Sequence, residues 1–163
     1  MNISKNEGSH LPVLIKVMSI TKGDVLEMGT GIYSTPFLHW TCYMQERRLV
    51  SYENIEHYFN LARLYRSSNH KIMFTDDWDK VDIEHPWEVA FIDHGPAERR
   101  EVDVKRLVNY AKYIIIHDSQ PEAEKYYHYS KIYPLFKYRY DYTKTRVTTS
   151  VLSNFVDVRG LNI

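Results

Sequence analysis

Residues 24–35 read DVLEMGTGIYST: a short apolar strand running into an acidic residue, two closely spaced glycines and a hydroxyl pair. Strand, Gly-x-Gly turn and helix start in that order make a cradle for a nucleotide-type cofactor. Gly29 can take a positive φ, and Gly31 lets a ligand approach the backbone with no Cβ in the way. Ser34 or Thr35 can cap the following helix, whose first turn suits Pro36. Glu27 makes the pattern more specific. A carboxylate at that strand end repels a pyrophosphate and attracts an ammonium or sulfonium group. The stretch points away from NAD and toward a cofactor of cationic character.

Outward from this turn, the pattern alternates between strand and helix. Leu11, Leu14, Ile15 and Met18 have helical spacing within His10–Ile20. After strand Asp24–Met28 comes a helix from Ser34 to about Glu46, then the strand Leu49–Glu53. Asn54 is placed to cap a helix with an apolar stripe of Ile55, Tyr58, Phe59, Ala62 and Tyr65. Strands Lys71–Thr75, Trp87–Asp93 and Tyr113–Asp118 follow, the last apolar as a strand buried on both faces should be. Pro96 opens a helix with Val104, Leu107, Val108 and Ala111 inward, and a further helix is expected from Pro121 to about Tyr133. FKYRYDYT and TRVTTSVLSNF then read as a hairpin. The expectation is α/β: a Rossmann-like, doubly wound, mostly parallel sheet of about seven strands with an antiparallel C-terminal hairpin. One domain over 1–163 is expected, with a helical segment 1–23, a cofactor-binding core 24–120, and the last helix and hairpin 121–163.

Bulk properties narrow the partners. Lys plus Arg number 21 and Asp plus Glu number 21, so no global charge favours nucleic acid or a membrane surface. Arg99, Arg100, Lys105 and Arg106 read as a solvated helix face, with an anionic acceptor as the alternative for the first two. The single cysteine, Cys42, excludes an internal disulfide and fits a reducing compartment. No apolar run reaches the roughly 18 residues of a membrane span, and MNISKNEGSH lacks a signal-peptide core. A cytoplasmic protein is expected.

In open sheets of this kind ligands sit beyond the carboxyl ends of the strands. Glu27–Gly31, Glu53–Asn54, Asp76–Trp78, Asp93–His94 and His117–Asp118 all fall there. Glu53 follows Gly29 by 24 residues, where a carboxylate can hold both hydroxyls of a ribose; a helix N-terminal charge is the alternative. Asp76 or Asp77 can accept from an exocyclic amine, and Trp78 offers a stacking face; a simple turn with a half-buried Trp is the alternative.

These residues resemble the class I S-adenosylmethionine-dependent methyltransferases over nearly the whole chain. The family's acid-x-Gly-x-Gly motif appears as Glu27-Met28-Gly29-Thr30-Gly31, its second acidic residue as Glu53, and its adenine-contacting segment as Asp76 to Trp78. The resemblance implies S-adenosyl-L-methionine bound through Glu27, Gly29, Gly31, Ser34, Thr35, Glu53, Asn54, Asp77, Trp78 and Asp93. The motif departs at Tyr33, with the third small residue delayed to Ser34. Methyl transfer to an oxygen or nitrogen of a small-molecule or protein acceptor is the implied activity, with Asp93, His94, His117 and Asp118 around the acceptor. Two alternatives stay open: a cofactor-binding module without turnover, and a nicotinamide-dependent oxidoreductase. Asp93 and Asp118 can also hold Mg²⁺, as the metal-dependent O-methyltransferases do, although Ser119 stands where that family places an amide. The short loops leave the acceptor face open unless a second copy of the chain, or the segment around His10, closes it.

Overall fold

The computed structural model describes residues 5–163; residues 1–4 of the expected N-terminal segment lie outside the described residues. Its framework is a seven-stranded sheet of β1 (Val25–Met28), β2 (Leu49–Glu53), β3 (His70–Phe74), β4 (Trp87–Ile92), β5 (Ala111–Ile116), β6 (Tyr138–Tyr142) and β7 (Thr149–Ser153). The spatial order is β3-β2-β1-β4-β5-β7-β6. The first five strands are mutually parallel, and β7 runs antiparallel to both β5 and β6. DVLEM and WEVAFID are parallel neighbours as expected, with Leu26 opposite Ala90 and Met28 opposite Ile92.

Side chains alternate across this sheet with period two, so each strand serves two cores. Val25, Leu49, Val89, Phe91 and Ile115 face α1 (Leu11–Ile20) and α2 (Ser34–Met44), where Val13, Leu14, Val17, Leu38 and Cys42 cover them. Leu26, Met28, Ala90, Ile92 and Ile114 face the other way, against Val104 and Leu107 of α4 (Arg99–Leu107), with Trp78 and Trp87 filling the layer. Burial on both faces explains the nearly unbroken apolar runs.

Three local expectations change. The helix after β2, α3 (Glu56–Ala62), is not capped by the Asn54 side chain, and Ile55 and Tyr58 on its stripe are exposed. Glu53 takes the capping role by accepting from the backbone N–H of Asn54 (2.9 Å) and Ile55 (2.7 Å). Pro96 precedes α4 rather than opening it, and Ala111 belongs to β5. The expected helix from Pro121 breaks into 3₁₀ turns around one short α-helix, α5 (Glu124–Tyr127), ended by His128 at φ 52°. Its run of tyrosines has weak helix propensity, and Pro134 removes a donor.

Candidate functional site

The glycine turn is where β1 passes closest to the end of β4. Gly29 has φ +87°, and a Cβ there would lie 2.5 Å from the His94 backbone nitrogen. Only glycine satisfies both conditions. Beyond it, the Thr30 N–H and hydroxyl donate to one Glu53 oxygen at 2.7 and 2.9 Å. With the two amides at the start of α3 on its other oxygen, Glu53 ties two loops together at the mouth of a cavity. All four of its acceptor positions are engaged, so a ribose hydroxyl must exchange with one of these donors.

Glu27 does not face that cavity. It is fully buried beneath the turn, accepting from Thr35 Oγ1 (3.0 Å) and Ser51 Oγ (2.6 Å). Burial pushes its carboxyl up to about 7, against the hydrogen bonds that favour the charged form. Thr35 also accepts the Gly31 N–H at 3.0 Å, so its hydroxyl braces the turn instead of capping α2; Tyr33 occupies the cap position without a side-chain bond. Behind Ser51, the chain continues through His70 Nε2 (2.8 Å) to a His70–His39 Nδ1 contact of 3.2 Å.

The cavity has a volume of about 290 Å³. Thr30, Gly31, Ser34 and Glu53 line one side, and His10, Asp93, His117 and Asp118 line the other. Asn6 and Glu7 border it from the N-terminal segment, and Tyr58 from α3. The segment around His10 thus reaches the site, as one of the sequence alternatives had it.

Asp77 and Trp78 do not line this cavity. Asp77 caps a 3₁₀ turn by accepting from the Asp79 N–H at 3.0 Å. Trp78 is buried: its Nε1 donates to Gly95 O at 2.9 Å, and its ring packs on His94 at 4.3 Å. The indole that offered a stacking face is spent on holding the loop after β4. Asn54 is likewise outside the cavity lining, with its side-chain Oδ1 buried and unpartnered.

The four polar residues after β4 and β5 have separate surroundings. His94 directs Nε2 at Asp103 Oδ2 on α4 (2.9 Å), and burial lowers its pKa. Asp103 also binds Arg99 and Arg106, so this histidine belongs to a buried network behind the site. His117 is buried, with Nε2 2.8 Å from Ser9 Oγ and Nδ1 3.3 Å from Asp93 Oδ1. Burial lowers its pKa, but the Asp93 bond and charge outweigh that and the net shift is upward. Asp93 is held down at about 2: burial acts to raise it, and Arg100 and His117 prevail.

Arg100 overturns two readings of the sequence. It is buried, not solvated, with Nη2 2.9 Å from Asp93 Oδ1 and Nη1 3.2 Å from Asp118 Oδ2. Its Nε donates to His94 O at 2.7 Å, and its guanidinium stacks over Tyr127. The place between Asp93 and Asp118 that a Mg²⁺ ion was to occupy therefore holds a guanidinium. Arg99 and Arg106 are also paired, with Asp103 and, for Arg106, Glu84. Two cations in the first turn of α4 oppose the helix dipole, and these carboxylates offset the cost.

The sequence placed His10 at the start of the first helix and in a segment that could close the acceptor face; the structure makes it the residue before α1. It is 2% exposed, stands edge-on to His117 at 4.9 Å, and among the described residues neither ring nitrogen has a hydrogen-bond partner. Burial pushes its pKa down to about 4. The only sequence signal was its position beside Ser9, immediately ahead of α1.

Strand order, the glycine turn and the acidic end of β2 together define the class I methyltransferase fold. No protein-family model matches the sequence, and no curated protein matches it. Solved structures share the fold at low identity. An O-methyltransferase from Bacillus cereus in complex with SAH superposes with TM-score 0.63 at 15% identity, covering 93% of this chain and 83% of that one. The N-terminal domain of human METTL16 in complex with SAH gives 0.66 at 11%, covering 96% and 73%. A methyltransferase from Pyrococcus furiosus gives 0.58 at 16%, covering 90% and 83%. Among the described residues, no helix is long and apolar enough to cross a membrane.

Proposed function

We infer that this chain binds S-adenosyl-L-methionine and transfers its methyl group to an oxygen or nitrogen of a small-molecule or protein acceptor. One observation carries the reading: a single cavity at the strand ends has the Glu53-tied glycine turn at one side and an Asp/His cluster at the other. The structures of like fold that contain SAH support it. The cofactor brings a sulfonium-activated methyl group, so the protein's task is alignment at near-attack distance. Gly31, with no side chain, leaves room for the cofactor at the turn, Ser34 borders it with a hydroxyl, and Glu53 exchanges the Thr30 hydroxyl for a ribose hydroxyl. Asp93, His117 and Asp118 hold the hydrogen of an O–H or N–H nucleophile and so fix its direction. His94 is a positioning residue, through Asp103 and Trp78, rather than a group that touches substrate.

Calorimetric titration with S-adenosylmethionine, its demethylated product, NAD and NADP tests the cofactor. Binding of the first two is expected, and Glu53→Ala should weaken it by about 1–3 kcal/mol. Binding of a dinucleotide alone would overturn the reading. Turnover is tested with labelled cofactor and cell extract: labelled product that disappears with Gly29→Trp supports transfer, whereas binding without labelled product leaves a cofactor-binding module.

A further inference from the structure

Three donor side chains meet on the acceptor side of the cavity: His10 ahead of α1, Asp93 after β4 and His117 after β5. One ligand atom from each lies within 4.8 Å of the other two. His10 is the informative member. Its ring is buried against Phe91 and the edge of His117, yet lines the cavity with neither nitrogen hydrogen-bonded among the described residues. A buried imidazole without a polar partner is costly, and a group bound in the cavity is what can satisfy it. His117 is already oriented for such a group. Ser9 fixes Nε2, leaving Nδ1 toward Asp93, as outer partners do for ligating histidines. Charge agrees: Asp93 and Asp118 outnumber Arg100, leaving one negative charge.

We propose that His10, Asp93 and His117 bind a divalent transition-metal ion of the zinc type through two imidazoles and one carboxylate. Two nitrogen donors suit zinc or cobalt and are a poor match for Mg²⁺, which takes oxygen ligands. Three protein ligands are the number found in catalytic zinc sites, where the remaining position is open. All three side chains belong to the cavity lining. The proton that His117 Nδ1 shares with Asp93 leaves as the ion enters, and Ser9 accepts from Nε2–H. The site goes beyond the transferase reading and does not depend on it; where both hold, the ion lowers the pKa of an acceptor hydroxyl.

The test uses the full chain, stripped with a chelator and desalted, with no cofactor or acceptor present. It is titrated with Zn²⁺ by calorimetry, with Co²⁺ by visible absorption, and with Mg²⁺ for comparison. One equivalent of Zn²⁺ and of Co²⁺ should bind, and Mg²⁺ should not. His10→Ala and His117→Ala should each weaken Zn²⁺ by more than the roughly 10–100-fold that loss of an outer partner costs, and His57→Ala, on exposed α3, should leave it unchanged. The unmodified protein gives a readout free of folding effects: the side-chain ¹⁵N resonances of His10 and His117 should shift with one equivalent of Zn²⁺. No stoichiometric Zn²⁺ binding, equal affinity in His10→Ala, or shifts confined to other histidines would overturn the proposal. Failure of the methyl-transfer assay leaves each of these readings standing.

Discussion

Glu27 shows how much a single residue's meaning depends on which way its strand turns it. Ser51 is its direct partner across β1 and β2, so the two side chains share a face, the one covered by α2, whose Thr35 also bonds Glu27. With Glu27 ionised, Ser51 donates to it, His70 Nε2–H donates to Ser51, and His39 Nδ1–H donates to His70. Protonated Glu27 can donate to Ser51 and reverse every donor in the line. The folded state holds this proton more tightly than the unfolded chain, from 4.5 up to about 7. The stabilisation is therefore complete below pH 4.5 and is lost as pH rises through 7, by about 3 kcal/mol. Glu27→Gln should remove that slope. Urea unfolding at pH 5 and pH 8 should show a wild-type loss exceeding the variant's by about this amount; equal losses would refute the assignment.

Elements meet here through two fixed contacts. The first is the approach of β1 to β4 at Gly29. A positive φ costs a non-glycine residue about 1–3 kcal/mol, and the backbone of Asp93 and His94 cannot yield to a Cβ as a flexible side chain would. Gly29→Ala should lower stability by at least that strain, read from its denaturation midpoint. The second contact is Arg100, which joins the start of α4 to the ends of β4 and β5. Removing one partner of a buried ion pair costs about 3–5 kcal/mol, so Arg100→Ala should cost this much, and Arg100→Lys less. A near-neutral Arg100→Ala would mean the clamp is not a stability element. The need for glycine at 29 was legible in the chain, whereas the Arg100 clamp was not. Arg99 and Arg100 look alike in sequence, and only the register of α4 against the strand ends buries the second.

At the scale of the whole molecule, the sheet was legible because each buried strand is a short apolar run separated from the next by a helical pattern. The mixed end of the sheet was legible from the alternation in Tyr138–Tyr142 and Thr149–Ser153. The site was legible as a location more than as a set of roles. Strand ends gather Glu53, Asp93, His117 and Asp118 at one cavity, as spacing implied. Trp78, His94 and Asp77 were beyond reach because their orientation depends on loops that fold back onto α4. His10 stands at the start of a legible helix, but nothing in that helix's spacing says that its first residue turns toward the strand ends.

The place of β7 between β5 and β6 has a consequence for how the chain is made. Residues 149–153 fill an interior position of the sheet, while their neighbour β5 is synthesised more than thirty residues earlier. Until that late segment emerges from the ribosome, β5 presents an unpaired apolar edge along Ile114, Ile115 and Ile116, its partners in the finished sheet being Leu152, Val151 and Ser150. An open edge of this kind is a template for pairing with other chains. A chain cut off and released before residue 149 therefore keeps that edge open, and such a fragment should aggregate where the complete sheet does not.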